Sequence, residues 1–486
     1  MNNNKLHFQD LVQGNYGRKI AYTDVEYIDK SNILTVLGNC IGVFNWNKPI
    51  IKYLWDYKNG DQPIRYREKT IRDDIKNVVV ENHAWEIVRF KNGQTYGEPI
   101  QLVSTTDNEQ ISKYVEQLNQ LLNKSHKRRK DIDSGEWTSA VGTGFKAVLL
   151  NHGKKIPFNI AVPTPMNTFI IYQRTTGLPL MAVQELVDEN NCHYYLCFTE
   201  TMQYKVQNGK LIPWEDGSVE KVHVFGGIPI IEYPNNQSRI SDVELVIDML
   251  DAINNMQSNR MDAIEQFVQS WVKFINCEID EETFLKMKTV GALTVKSNNG
   301  ENKADVDIMT QELNQTESQV AKEDLWNNVL SIEAIPNKQG NTGGDSQGAV
   351  ELRNGWDFSK QAAVLKDAYI IEAETNLCEI ILNAIHVEKG NDYIPISIMD
   401  FDVHIVHSPT DNLYVKTESL QMLLNAGINP LIAIKTCGLW SDAEKVFLDS
   451  KPFLDVLYKT IDEIDPSGEQ QEKAQQILNN NQGLEQ

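Results

Sequence analysis

GGIPIIEYPNNQSRISDVELVIDMLDAINNMQSNRMDAIEQFVQSWVKFI, residues 226–275, holds the strongest structural signal in this chain. Its first part reads as a strand, and RISDVE leads into a long amphipathic helix. Ser241 followed three residues later by Glu244 is a capping box that satisfies two orphan backbone donors. Ile240 and Leu245 are placed for a hydrophobic staple. Val243, Val246, Leu250, Ile253, Ile264, Phe267, Val268, Trp271 and Ile275 recur at helical spacing, with Asn, Gln and Glu between them. Neither Gly nor Pro interrupts residues 241–277, so an unbroken helix would reach roughly 55 Å. The weak point is NNMQSN, residues 254–259, whose side chains are able to bond their own backbone and kink the helix, which leaves two helices in tandem as the alternative.

The 486 residues suffice for two to four domains and a large core. A formal charge of -21 argues against a surface built to grip phosphate, since such surfaces cluster Lys and Arg. The six cysteines (Cys40, Cys192, Cys197, Cys277, Cys378, Cys437) include no CxxC pair and read as reduced thiols of a cytosolic protein. MNNNKLHFQDL lacks the apolar stretch of a signal peptide, and no window approaches a membrane span, so neither secretion nor insertion is expected.

Residues 1–110 mix short helical and strand patterns, and NVVVENHAWEIVRF (77–90) passes from a β-branched run into a helical one. Residues 111–150 read as helical; within them LNKSHKRRKD (122–131) is the one dense basic run and reads as a solvated helix face. Alternating segments between 156 and 236, separated by Asn, Gly and Asp turns, predict an antiparallel sheet. After the long helix, residues 277–311 read as a short helix with a two-stranded ribbon formed by GALTVKS and ADVDIMT. A returning helix is expected from about Glu312 to Ile332. No proline occurs from Asn235 to Ile335, so the excursion reads as a projecting hairpin. NKQGNTGGDSQG (337–348) is a glycine-rich loop, followed by a long helix over about 358–385, a strand region at 393–407 and helices at 409–460. One of these, TESLQMLLNAGIN, is closed by Gly427 and Pro430. The polar tail from Pro466 reads as frayed.

No catalytic constellation emerges. Gly142-Thr-Gly144-Phe-Lys-Ala147 fits only a loose dinucleotide fingerprint and lacks a preceding buried strand, and the loop at 340–348 lacks the Gly-Lys-Ser/Thr ending of a P-loop. His404 and His407 are three apart on a strand and face opposite ways. Asp305 and Asp307 share a strand face but lack a third carboxylate, and read as a solvated ribbon edge. No GxSxG, HExxH or recognisable Cys/His pair is present, so the reading is no enzyme, no cofactor and no metal. An enzyme of DNA metabolism, nuclease or ATPase, is the competing reading and requires a carboxylate or nucleotide site. A capsid-assembly connector or scaffold is another, although scaffolds are mostly helical and residues 156–236 are β-rich.

Four segments in order resemble the portal proteins of tailed bacteriophages, of the type found in siphophages of Gram-positive hosts. They are NVVVENHAWEIVRFKNGQTYGEPI (77–100), GGIPIIEYPNNQSRISDVELVIDMLDAINNMQSNRMDAIEQF (226–267), GGDSQGAVELR (343–353) and ESLQMLLNAGINPLIAIKTCGLW (418–440). VHSPTDNLY (406–414) departs from the pattern, since relatives tend to carry a basic Arg-Asn-Pro type of segment there.

The resemblance implies an α+β portal fold and a ring of twelve copies at one capsid vertex, through which terminase drives DNA and on which the tail is later hung. It implies a wing at 1–254, stem helices at 255–276 and 312–333, a clip at 277–311, a second wing part at 334–407 with a tunnel loop at about 337–358, and a crown and tail at 408–486. The stem stripe would comprise Ile264, Phe267, Val268, Trp271, Ile275, Val320, Leu325 and Val329, packed between neighbouring subunits. Asn341, Thr342, Asp345, Ser346, Gln347 and Trp356 would lie near DNA, and Glu281, Glu282, Lys286 and Lys288 would meet the terminase large subunit or a head-completion adaptor. Scaffold and major capsid protein are the further implied partners, in the virion and, during assembly, in the host cytoplasm. A channel built from chains of charge -21 repels phosphate, so DNA would slide through rather than adhere.

Overall fold

The capping box forms as written. Ser241 Oγ accepts the Glu244 N–H at 3.1 Å, and Glu244 Oε2 accepts the Ser241 N–H at 3.1 Å. This computed structural model describes residues 7–69, 74–106, 108–268, 271–275, 305–309, 315–337, 355–407, 413–440, 443 and 446–451. The chain divides into two units, residues 1–407 and 408–486.

The first unit begins with α1 (Phe8–Val12), β1 (Ala21–Thr23), α2 (Ile33–Lys58), α3 (His83–Tyr96), β2 (Gln101–Ser104), α4 (Glu109–Lys124) and α5 (Lys127–Val141). Strands follow: β3 (Thr143–Leu150), β4 (Phe158–Ala161), β5 (Thr168–Gln173), β6 (Pro179–Val187), β7 (His193–Phe198), β8 (Met202–Gln207), β9 (Lys210–Ile212), β10 (Glu220–Val222) and β11 (Ile230–Pro234). Residues 143–150 are therefore strand, not the end of a helical region. Six of their eight positions are buried, which removes the two-residue alternation that marks a half-exposed strand.

The expected sheet is present, with order β1-β5-β6-β7-β8-β10 and β9 beside β8. Its β5-to-β8 meander is antiparallel, whereas β1 joins β5 in parallel. One face is covered by α2, whose Ile33, Leu37, Cys40 and Phe44 pack on Phe169, Ile171, Met181 and Val183. From the other face, Ile170 and Ala182 meet Phe145, Ala147 and Ile230 of a second sheet, β11-β3-β4.

The unit continues with α6 (Ile247–Val268), β12 (Trp271–Ile275), β13 (Asp305–Met309), α7 (Gln315–Ile332), α8 (Trp356–Lys389) and β14 (Phe401–His404). Leu377 and Ile381 of α8 close the core over Val148, Ile160 and Ile231 of the second sheet. β14 pairs with β2, from Phe401 opposite Ser104 to His404 opposite Gln101.

Three expectations change here. The helix predicted over residues 241–277 spans only Ile247–Val268: residues 242–246 after the capping box form turns, and Trp271–Ile275 is a strand antiparallel to Asp305–Met309. Trp271 and Ile275 thus leave the stem stripe, because WVKFI is β-branched and aromatic and finds a partner strand thirty residues on. ADVDIMT was expected to pair with GALTVKS; its partner among the described residues is WVKFI, and GALTVKS lies outside them. The loop expected over 337–358 is also shorter at its end, since Trp356 is the first residue of α8, after Gly355 in the left-handed conformation.

The second unit contains α9 (Leu413–Asn425) and α10 (Pro430–Cys437). Gly427, at φ +78°, lies in the turn after α9. Pro430 opens α10 rather than ending its predecessor, with Asn429 Oδ1 accepting the Leu431 N–H at 2.9 Å.

Candidate functional site: paired helices, strap and buried charge

The polar residues of NNMQSN leave their own backbone alone. Val79 N–H donates to Ser258 Oγ at 3.0 Å, Glu81 N–H to Asn254 Oδ1 at 2.8 Å and Asn77 N–H to Asp262 Oδ1 at 2.7 Å. Four helical residues rise about 6 Å, and two residues of extended chain advance about 6.6–6.8 Å. Helix positions four apart therefore match every second amide of a strap running the other way. That strap consumes the NVVVE run, which is why this β-branched sequence forms no sheet strand. α6 stays continuous because its Asn and Ser side chains have better partners than its own carbonyls. Asp262 also pairs with Arg67 at 3.0 Å and with Lys69. Burial works against its charge, but these cations and the Asn77 contacts outweigh it and hold the carboxyl below the usual range.

The strap reaches α7 as well. Lys322 Nζ donates to Glu81 at 2.6 Å, and the His83 ring stacks on Trp326 with centroids 3.9 Å apart. Burial opposes charge on His83, yet its contacts with Glu81 and Glu86 prevail and lift its pKa above the ordinary value. α6 and α7 pack side by side, joined by Arg260 Nη1 to Gln319 Oε1 at 2.8 Å. Near their root, Leu250, Ile253, Val329 and Leu330 share one core, with Leu325 and Trp326 against it.

The predicted stem residues separate along this pair. Val329 is buried and Leu325 half-buried, whereas Ile264 and Val320, toward the strand ribbon, are 40% and 60% exposed. Phe267 and Val268 lie on the last turn of α6. Trp356 is half-buried, its ring 6.2 Å from that of Phe90. Asn341, Thr342, Asp345, Ser346 and Gln347, like Glu281, Glu282, Lys286 and Lys288, lie outside the described residues.

The basic run is only partly solvated, a correction to its reading as an exposed face. Lys127 is buried, 2.7 Å from Asp131 and 2.9 Å from Glu374, and Lys146 closes the group through Asp131 and, at 2.6 Å, Glu374. The Tyr233 hydroxyl donates to Glu374 at 3.1 Å. Burial opposes the charge on Glu374, but the two ammonium groups overcome it and hold the carboxyl down to about 2. Two cations and two anions make a neutral buried quartet tying α5, β3 and α8. The signal in sequence was Asp131 four residues after Lys127; the partners Lys146 and Glu374 are too distant to be inferred.

The loop at 340–348 lies outside the described residues, and the Gly142–Ala147 motif follows a helix and forms a strand. Gly142 ends a helix instead of a strand, at φ +89°, and an added Cβ there would lie 1.9 Å from the Arg239 carbonyl oxygen. His404 is exposed, and His407 is engaged by Asp367 at 2.6 Å and the Gln94 carbonyl at 3.0 Å. Among the described residues no group of three or more His, Cys, Asp or Glu is arranged to hold a metal, and no helix is long and apolar enough to cross a membrane. The five described cysteines are free thiols.

The described residues thus form layered sheets carrying a strapped helix pair topped by a strand ribbon, with buried charge joining elements. The model of the family "Phage portal protein, SPP1 Gp6-like" matches residues 37–414, and the chain belongs to that family. It is a phage portal protein, of the capsid vertex. No curated protein matches the sequence. Among solved structures, the neck of an empty gene transfer agent (GTA) particle computed with C6 symmetry is 10% identical, with a TM-score of 0.45, over 74% of this chain and 90% of that one. A native GTA virion chain is 9% identical, with a TM-score of 0.45, over 80% and 93%. The neck of a native GTA particle computed with C12 symmetry is 10% identical, with a TM-score of 0.39, over 74% and 89%.

Proposed function

We propose that twelve copies of this chain close into a ring whose channel passes double-stranded DNA during packaging and ejection, in a siphophage of a Gram-positive host. α6 and α7 form the stem, and β12 and β13 root a clip spanning 277–311. Glu281, Glu282, Lys286 and Lys288 of the clip meet the terminase large subunit and later the head-completion adaptor. Residues 337–355 form the tunnel loop, with Asn341, Thr342, Asp345, Ser346 and Gln347 nearest DNA and Trp356 at its helical root. Residues 408–486 form the crown. Scaffold and major capsid protein engage the ring during assembly in the host cytoplasm.

The observation that carries this reading is family membership over residues 37–414, joined to a helix pair that leaves Met261, Ile264 and Val320 exposed in the single chain. Apolar side chains of this kind gain burial only from a neighbour, and a head-to-tail contact that closes generates a ring. Ile264→Asp combined with Val320→Asp removes that contact without entering the subunit's core. Sedimentation of the double variant should give folded single subunits; rings at the wild-type yield would refute the assignment of these two side chains to the subunit interface.

A further inference from the structure

α7 ends in a Schellman closure. Glu333 N–H bonds the Val329 carbonyl at 3.0 Å, Ala334 N–H the Ser331 carbonyl at 3.2 Å, and Ile335 N–H reaches back to Leu330 at 2.8 Å. Leu330 and Ile335 are buried in the same core, the apolar contact that accompanies this motif. The left-handed position, normally glycine, is Ala334 at φ +51°. Its strain is held by the surrounding contacts, so the turn is poised to open when one of them weakens.

Glu333 occupies the cap itself and is 6% exposed. Three features oppose its ionised form. Burial removes solvation, the helix C-terminus presents negative potential, and Asp242 adds a like charge. Asp242 is kept ionised against burial by Lys366 and Lys91, with Ser139 Oγ at 2.6 Å and Asn235 Nδ2 at 2.8 Å. The facing cations are Lys91 of α3, 3.7 Å from Glu333, and Lys366 of α8, 3.7 Å from Asp242. Burial of Glu333 prevails over both lysines and raises its carboxyl to about 8.

We infer that Glu333 is a proton-sensitive latch: neutral, it lets the closing turn of α7 pack down, and on losing its proton it forces the turn at Ala334 to open. Glu333 faces Lys91 of α3 and lies in the field of Asp242, in the turn before α6, which holds Lys366 of α8, so the state of Glu333 changes how the chain leaves α7. Its folded pKa lies above the unfolded value, so the stabilisation is complete at acid pH and is lost as pH rises through about 8.

Hydrogen exchange of the intact protein, corrected for intrinsic rates, tests this in the peptide carrying residues 333–335. Protection should fall about tenfold between pH 7 and pH 9 in the wild type, and stay level in Glu333→Gln. Lys91→Met, which removes the nearest cation, should move the fall to higher pH and keeps the test open if Glu333→Gln folds poorly. Level protection in the wild type, an equal fall in Glu333→Gln, or an unmoved fall in Lys91→Met would overturn the latch.

Discussion

Arg18 Nη2 lies 2.5 Å from each carboxylate oxygen of Glu244, 226 residues further along the chain. The same carboxylate takes the Gly17 N–H at 2.7 Å and the Ser241 N–H of the capping box. A local capping signal thus doubles as the anchor of the N-terminal segment to the turn that leads into α6. Gly17 permits the approach at φ +85°, where an added Cβ would lie 2.2 Å from the Ser238 carbonyl oxygen.

Both partners of this ion pair are almost fully buried. Glu244→Met leaves the Arg18 guanidinium without its counter-charge and should destabilise by about 3–5 kcal/mol, whereas Arg18→Met with Glu244→Met should recover most of that loss. Thermal melts of the two variants decide it; a double variant no better than the single one would remove the ion pair as the cause.

The strap makes a residue-specific prediction. Ser258→Ala deprives the half-buried Val79 amide of its acceptor and should cost about 1 kcal/mol, the usual net worth of one intramolecular hydrogen bond. Hydrogen exchange should accelerate at Val79 and leave the sheet amides unchanged. Exchange that rises evenly along the chain would mean that the ladder is not a separate joint.

The quartet sets an acid limit. Glu374 has a folded pKa held below its unfolded value, so its stabilisation is present above about pH 4.5 and declines as pH falls toward 2. Glu374→Gln should lower stability at pH 7 and flatten the loss between these limits. Parallel acid-unfolding curves for wild type and variant would contradict the assignment.

Gly142→Ala forces a side chain against backbone in a left-handed conformation and should prevent folding, whereas Gly153→Ala, with open space around the added carbon, should cost only about 1 kcal/mol. Soluble yield and melting temperature separate the two; a well-folded Gly142→Ala would show that the Arg239 carbonyl moves aside.

Much of this architecture is legible in sequence because its signals are local. Ser241 and Glu244 lie three residues apart, and the meander strands announce themselves by alternation and turns. What escapes is decided at a distance. WVKFI fits a helical stripe as well as a strand, and only Asp305–Met309 selects the strand. Asn254, Ser258 and Asp262 are visible as a polar row, but the row becomes a joint only when residues 77–81 arrive. Lys127 looks solvated within KRRK until Lys146 and Glu374 close around it. The candidate stem stripe was partly readable for the same reason: periodicity marks apolar positions without saying that Val329 faces its own subunit's core while Ile264 and Val320 remain exposed.

The central claim is that the protein works as a closed ring around a hollow axis. Two-dimensional class averages of the purified full-length protein in electron micrographs test it most directly. End-on views should show a closed annulus with an open centre and twelve-fold repetition. A field of compact single subunits at every concentration tried would contradict the account.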